Sequence, residues 1–303
     1  MGLKLLIVNC GNQMRPLREV LLPTDFSPPC VDVARYAAGV ARHFRSKITL
    51  LHVLAPLNPA FAAFGSTAML GEVLVHQKKE TCNSLNLYLA DEFRGIPVKH
   101  VVSEGDPAET IATYCASERV GLVMMPTRGC AAFRRFLMGS VTAKILQEVD
   151  CPVWTSSHIM DRHAAVSPVP MVIVCAIDRG PESDLILEWA ADLASGVQAR
   201  LIVAHAISSL KFHLETYFPR SGIRRVLEDA HARISNVLHG RPLPGAEVRV
   251  EGGSVPKVVR SVVEDSRADL LIVGRSSNGG KMGRSRTHSY ALIRESTCPV
   301  ICI

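Results

Sequence analysis

Short apolar runs alternate along the chain with longer stretches in which apolar residues recur every third or fourth position. That alternation predicts strands and helices in turn. Residues 19–24 (EVLLPT) read as a strand ending at Asp25. Val33, Ala37, Val40, Ala41 and Phe44 then share one face of a helix over about 31–45. Ser27 stands where it can cap that helix, with Pro28 and Pro29 in its first turn. KITLLHVL at 47–54 is a second strand, followed by a Pro- and Ala-rich loop and a helix over about 72–94. A strand over 97–102, a Gly105-Asp106-Pro107 turn and a helix over about 108–118 come next. Residues 122–125 have the apolar run of a strand buried on both faces, stopped by Pro126. Ser140 opens a helix with Val141, Ile145 and Val149 on one face, and CPVW at 151–154 closes the set. Strands alternating with helices predict a parallel sheet, doubly wound, with ligands taken at the strands' carboxyl ends. Asp25, Val53 and the loop after Met125 fall on that one rim.

Residues 156–170 are polar and lack periodicity, as a linker does. After them the pattern restarts. Residues 171–177 followed by Asp178 repeat the first strand and Asp25. Ala190 and Ala194 fall on Ala37 and Ala41, and LIVAHAI repeats ITLLHVL, which places His205 on His52. VRVEGG, ADLLIVG and CPVICI repeat VVSEG, VGLVMMP and CPVW. The expected organisation is an extension over 1–17, a first domain over 18–155, the linker, and a second domain over 171–303. Each domain is an α/β unit with a five-stranded, doubly wound parallel sheet.

Composition narrows the class. At 48% hydrophobic and 20% charged the chain is globular, and aromatics are only 5%. A net charge of +6 without a basic run interleaved with aromatics argues against nucleic acid and suits an anionic ligand. Nine cysteines, none in CxxC spacing and many inside apolar runs, point to reduced thiols and a cytoplasmic setting. Cys130 stands apart because arginines neighbour it. No apolar run reaches the roughly 20 residues of a membrane helix. The opening MGLKLLIVNCGN lacks a signal-peptide cleavage site, Leu6 spoils a myristoylation motif, and Met14 is an alternative start.

The loop from Pro126 to Ser140 carries the most chemistry. It holds Arg128, Arg134 and Arg135 between Gly129 and the Gly139-Ser140 pair, and a helix begins at its end. Unpaired amides and partial positive charge at a helix start attract phosphate, and glycines allow close backbone approach. The plainer alternative is that Ser140 only caps the helix. Elsewhere, GRSSNGGKM at 274–282 fails as a P-loop, because Met282 stands where a hydroxyl must meet magnesium. GGSVP at 252–256 fails as a nucleophile elbow because Pro256 replaces its last glycine. His52 and His205 lack an acidic partner in sequence and read as structural groups near the rim, and Glu104 with Asp106 reads as a helix cap. No His, Cys or Asp cluster has zinc spacing.

PTDFS at 23–27, LLHV at 50–53, GSVTAKIL at 139–146 and the two CPV closings resemble the universal stress protein family, twice over nearly the whole chain. The resemblance implies a tandem member with Rossmann-like, adenine nucleotide α-hydrolase-like domains. ATP-binding members are similar in a loop G-x2-G-x9-G-[ST]; here Pro126, Gly129, Gly139 and Ser140 hold those places. By that likeness Gly129, Gly139, Ser140, Val141 and Thr142, with Arg128 beside them, would surround phosphates and ribose. Pro23, Thr24, Asp25, Val53 and Met125 would hold the nucleoside. ATP, with magnesium accompanying it, is the implied cofactor of the first domain, and no side chain stands out as a water-activating base. Pro126 departs from the pattern, lacking an N–H and fixing φ. The second half departs further: Gly274 remains, but Ser277 and Arg286-Thr287 replace the later glycines and serine. Arg275, Lys281, Arg284 and Arg286 there suit another anion or a plain basic loop. The resemblance also implies that the closing strands, 152–154 and 299–303, pair the halves as an internal pseudo-dimer; association of two chains as a homodimer stays open. Three functions follow in order: a nucleotide-sensing stress protein acting by binding and conformation, a scaffold of the same fold without nucleotide, and an ATPase or kinase. No nucleic acid or membrane partner is expected.

Overall fold

The computed structural model describes residues 7–10, 13–56, 67–128, 138–156, 169–178, 183–207, 220–238, 246–275 and 284–303. Contacts group the chain into two compact units, Arg15–Val153 and Trp154–Ile303, the latter joined by Met1–Met14. The N-terminal extension supplies a two-stranded sheet, β1 (Ile7–Cys10) and β2 (Gln13–Pro16).

In the first unit the apolar runs become buried strands. β3 (Glu19–Pro23) and β6 (Leu122–Pro126) are buried at every position, as strands covered on both faces must be. β4 (Lys47–Leu54) pairs in parallel with β3 on one side and with β5 (Val98–Glu104) on the other, and β6 pairs with β3. Chain order runs outward through β3, β4 and β5, then returns to β6 on the far side of β3. The switch point therefore lies between β3 and β6. Helices α1 (Pro28–Phe44), α2 (Thr67–Leu87), α3 (Pro107–Ser117) and α4 (Ser140–Glu148) connect the strands. α1 buries Val33, Ala34, Ala37, Ala38 and Ala41, whose small side chains let it lie close to the sheet.

The closing strand β7 (Val153–Ser156) begins two residues later than the sequence pattern suggests. The Pro152 carbonyl already accepts from Val123 N–H, but its ring nitrogen has no proton to give, so regular pairing starts after it. Asp106 caps α3 as expected, accepting from the Ala108 and Glu109 amides at 3.0 and 3.1 Å. Two expected caps are corrected. Ser27 sits at the N-cap of α1 but its hydroxyl makes no capping bond, and the N-cap of α4 is Gly139, with Ser140 the first helical residue.

The second unit repeats the plan. β8 (Val172–Ala176), β9 (Arg200–Ile207), β10 (Glu247–Gly252), β11 (Leu270–Val273) and β12 (Val300–Cys302) are ordered β10-β9-β8-β11-β12, all pairs parallel. Helices α5 (Ser183–Val197), α6 (Arg220–Leu238), α7 (Val255–Ser266) and α8 (Arg284–Glu295) join them. The duplication extends to turns. Gly105 and Gly253 follow matching strands with φ of 138° and 153°, a backbone region closed to other residues. Their amides donate to the Leu54 and Ile207 carbonyls at the ends of β4 and β9. Among the described residues no helix is long and apolar enough to cross a membrane.

Candidate functional site

The rim of the first unit is shaped by two prolines. Gly121 N–H donates to the Glu19 carbonyl while Thr24 N–H donates to Leu51 on the other side, so odd-numbered residues of β3 turn toward β6. β6 pairs with β3 at Val20–Leu122 and Leu21–Val123 only. The next parallel step needs an amide at Pro23, and the one after it needs amides at Pro23 and Pro126. Neither residue has one. In the second unit Ala176 and Gly274 stand at those places, both have N–H groups, and the ladder runs on through Cys175–Ile272 and Ala176–Val273. The first unit's strands thus diverge earlier, by two residues, at the switch point where doubly wound folds take ligands. Pro126 therefore costs the sheet a bond. The register assigns its missing amide to the β3–β6 ladder, away from the rim where a ligand would sit.

The predicted nucleoside group surrounds that opening. Pro23 ends β3, Thr24 is buried beside it, and Asp25 is exposed. Asp25 Oδ1 accepts from Ser27 N–H at 3.0 Å and from the Cys30 thiol at 3.3 Å, so its carboxylate is held in one direction. Burial pushes the Cys30 thiol up, which keeps it a donor. Phe26 carries this turn at φ 61°, its amide bonded to Thr24 Oγ1 and its ring 4.7 Å from His52 and 5.0 Å from Tyr88. His52 Nδ1 lies 2.7 Å from the Thr24 carbonyl. Since a carbonyl only accepts, Nδ1 carries the proton. Val53 is half-buried on β4, and Met125 is buried on β6.

The predicted phosphate group is tied to the end of β6. Gly139 N–H donates to the Thr127 carbonyl at 2.8 Å, and Thr142 Oγ1 donates to the Pro126 carbonyl at 3.1 Å. The Thr142 hydroxyl proton, expected to reach a ligand, is thus spent on the loop's own backbone, and Thr142 is 3% exposed. The helix start keeps the amides of Ser140, Val141 and Thr142, which no intrahelical carbonyl can reach. Ser140 is exposed, and Val141 and Arg128 are half-buried. Gly139 has φ −62° and ψ 146°, ordinary values for any residue. A side chain there would meet only Thr127 O at 3.4 Å, Arg128 Cα at 3.8 Å and Thr142 Oγ1 at 3.9 Å. Gly129, Cys130, Arg134 and Arg135 lie outside the described residues.

The second rim keeps the frame and changes the filling. Ser183 Oγ donates to Asp178 Oδ1 at 3.1 Å, the counterpart of Cys30 on Asp25. His205 Nδ1 lies 3.0 Å from the Ile177 carbonyl, as His52 does from Thr24. Ser289 Oγ donates to Gly274 O at 2.9 Å, as Thr142 does to Pro126. The space beside Gly274, however, is taken by the Ile186 side chain, whose Cδ1 stands where a Cβ would go. Arg275, expected in an exposed basic loop, is half-buried and donates from Nη2 toward the Cys302 carbonyl at 3.5 Å. Lys281 and the side chains of Arg284 and Arg286 lie outside the described residues. Sequence reading passed over Cys30, Phe26 and Tyr88; the five-residue spacing shared by Asp25–Cys30 and Asp178–Ser183 was the available signal for the first. Among the described residues no three His, Cys, Asp or Glu side chains gather as a metal site would require.

Known proteins show the same architecture. A universal stress protein of Methanocaldococcus jannaschii is 26% identical over 138 residues, 45% of this chain and 79% of that one. One from Mycobacterium tuberculosis is 28% identical over 238 residues, 75% of this chain and 71% of that one. The crystal structure of a universal stress protein from Archaeoglobus fulgidus superimposes with a TM-score of 0.68 at 22% identity, covering 94% of this chain and 98% of that one. The universal stress protein family model matches residues 16–156 and again 171–303. With both halves matched, the chain belongs to the universal stress protein family as a tandem, two-domain member.

Proposed function

We propose that the first domain binds ATP in the opening between the ends of β3 and β6, and that the protein acts in the stress response by binding and changing conformation. The observation that carries this reading is the early end of the β3–β6 ladder at Pro23 and Pro126, beside a braced, exposed Asp25. The nucleoside would lie against Pro23, Thr24, Asp25, Val53 and Met125. The phosphates would meet the amides at the start of α4, with Ser140 Oγ and Arg128 beside them; Gly129 completes the set in sequence. Magnesium would enter with the triphosphate. Among the described residues no side chain of the rim is placed as a general base for water; binding, with at most slow hydrolysis, is the activity proposed.

The second domain is assigned the scaffold role, because Ile186 crowds the space beside Gly274, the one glycine its loop shares with the pattern. Equilibrium titration of the purified protein with ATP tests the reading. One site per chain at micromolar affinity, lost in Asp25→Ala, supports it; no binding at millimolar ATP would leave the scaffold role for both halves.

A further inference from the structure

The turn from the end of β3 into α1 is held in a conformation that its residues do not favour. Phe26 has φ 61°, in the left-handed region where the Cβ of an ordinary residue crowds the backbone. Among the described residues, Arg45, Leu89, Arg119, Gln198 and Arg267 share that region without being glycine. Each of those stands just after a helix, where a left-handed residue closes the last turn. Phe26 stands before one. Its neighbours fix it there. Phe26 N–H donates to Thr24 Oγ1 at 3.0 Å, and Ser27 N–H donates to Asp25 Oδ1 at 3.0 Å. Thr24 is itself pinned to β4: its N–H donates to Leu51 O at 2.9 Å, and its carbonyl accepts from His52 Nδ1 at 2.7 Å. The same His52 ring lies 4.7 Å from the Phe26 ring, and Tyr88 meets that ring at a steep angle from 5.0 Å.

We infer that Phe26 is a positioning residue: its left-handed backbone, clamped by its ring against His52 and Tyr88, aims the Asp25 carboxylate at the ligand. A residue with a side chain stays at such an angle only where its surroundings over-determine it, and strain of that kind gathers at sites that must keep one shape. Here the angle folds the chain back, so that the Ser27 amide reaches the carboxylate two residues before it. The Cys30 thiol, from the first turn of α1, reaches the same oxygen at 3.3 Å. A glycine would take this angle freely but would leave the turn nothing to grip. The phenyl ring supplies the grip, so Asp25 is exposed and yet fixed. In sequence the second half keeps Asp178 but has Arg179 and Gly180 at the places of Phe26 and Ser27. The ring is thus confined to the domain assigned the nucleotide. The inference rests on the nucleotide reading for its ligand, and on the geometry of this turn for the rest.

The test has two arms on the full chain. In the first, without nucleotide, Phe26→Gly and Phe26→Ala are unfolded in urea, and the Ser27 amide is followed by NMR hydrogen exchange. Phe26→Gly should withstand more urea than Phe26→Ala, the reverse of the usual order, because alanine keeps the strain. The Ser27 amide should exchange slowly in the wild type and rapidly in Asp25→Ala and Phe26→Gly. If Phe26→Ala is the more stable of the two, or if the Ser27 amide is as slow in Phe26→Gly as in the wild type, the inference is overturned. In the second arm, ATP is titrated. Phe26→Gly should weaken ATP about tenfold in the wild-type background. In the Asp25→Ala background it should change affinity by no more than about twofold, since its effect passes through that carboxylate. Phe26→Tyr, which keeps the ring, should retain the wild-type affinity. A residue that only supports the fold would cost the same in both backgrounds; equal losses, or no loss in either, overturn the inference. If the wild type binds no ATP, the nucleotide reading falls, and the ligand with it; the Ser27 amide still decides whether Phe26 holds the carboxylate.

Discussion

Ile186 packs against Gly274, its Cδ1 crowding the place a Cβ would need. A side chain at Gly274 would therefore have to displace Cδ1, the far end of the Ile186 side chain. At the matching place in the first half stands Pro126, and the residue matching Ile186 is the smaller Val33, buried to 1%.

Gly274→Ala should destabilise the protein by about 1–3 kcal/mol, the usual cost of overpacking. Removing Cδ1 with Ile186→Val should recover most of that loss when combined with it. Urea unfolding of both single variants and the pair gives the coupling; additive effects would contradict the contact.

Gly139 makes the opposite case. Its backbone angles are open to any residue and its neighbours leave room for a methyl group. Gly139→Ala should change stability by no more than about 1 kcal/mol, the gain through the unfolded chain offsetting the poorer N-cap. ATP affinity should nonetheless fall about tenfold or more if phosphate approaches this backbone. Thermal unfolding and ATP titration of one preparation separate the two effects.

Pro126 bears on the sheet. Pro126→Gly restores the amide that a glycine at this place of the loop pattern would carry. Because that amide would face Pro23 in the ladder, ATP affinity should change by less than the roughly tenfold that one hydrogen bond to a charged group is worth at the least. A gain well beyond tenfold would show that the amide belongs to the ligand.

Much of this was legible in the sequence, for identifiable reasons. Buried strands such as 122–126 announce themselves by unbroken apolar runs, and the duplication by the matched positions of His52 and His205. The helix-cap reading of Asp106 followed from its place before Pro107. The ladder's early end was not legible, because it depends on Pro23 and Pro126 facing one another from strands far apart in the chain. For the same reason Pro126 read only as a departure from the loop pattern. Thr142 read as a ligand group because sequence supplies its hydroxyl but not the Pro126 carbonyl that takes the proton. Ser27 read as a cap because its type and place fit, whereas Pro29 has no N–H to give and the Cys30 amide donates to the Ser27 carbonyl instead of its hydroxyl.

Burial of thiols gives a pH dependence. Cys175 and Cys302 are pushed up to about 12 from 9.0 by desolvation. Below about pH 9 the thiols stay protonated in both states and their contribution is constant. Above it the unfolded chain releases protons that the folded chain retains, so stability falls as pH rises from about 9 toward about 12. Unfolding in urea under reductant across that range should show a shallower decline in Cys175→Ala and Cys302→Ala than in the wild type. Parallel profiles would mean the thiols ionise freely in the fold.

Nucleotide binding by the first domain is tested most directly by one titration: ATP added to the purified wild-type chain and to Asp25→Ala, followed calorimetrically. The expected result is a single site per chain with micromolar affinity in the wild type and at least a tenfold loss in the variant. A flat wild-type trace up to millimolar ATP, from protein shown to be folded and free of carried-over nucleotide, would contradict it.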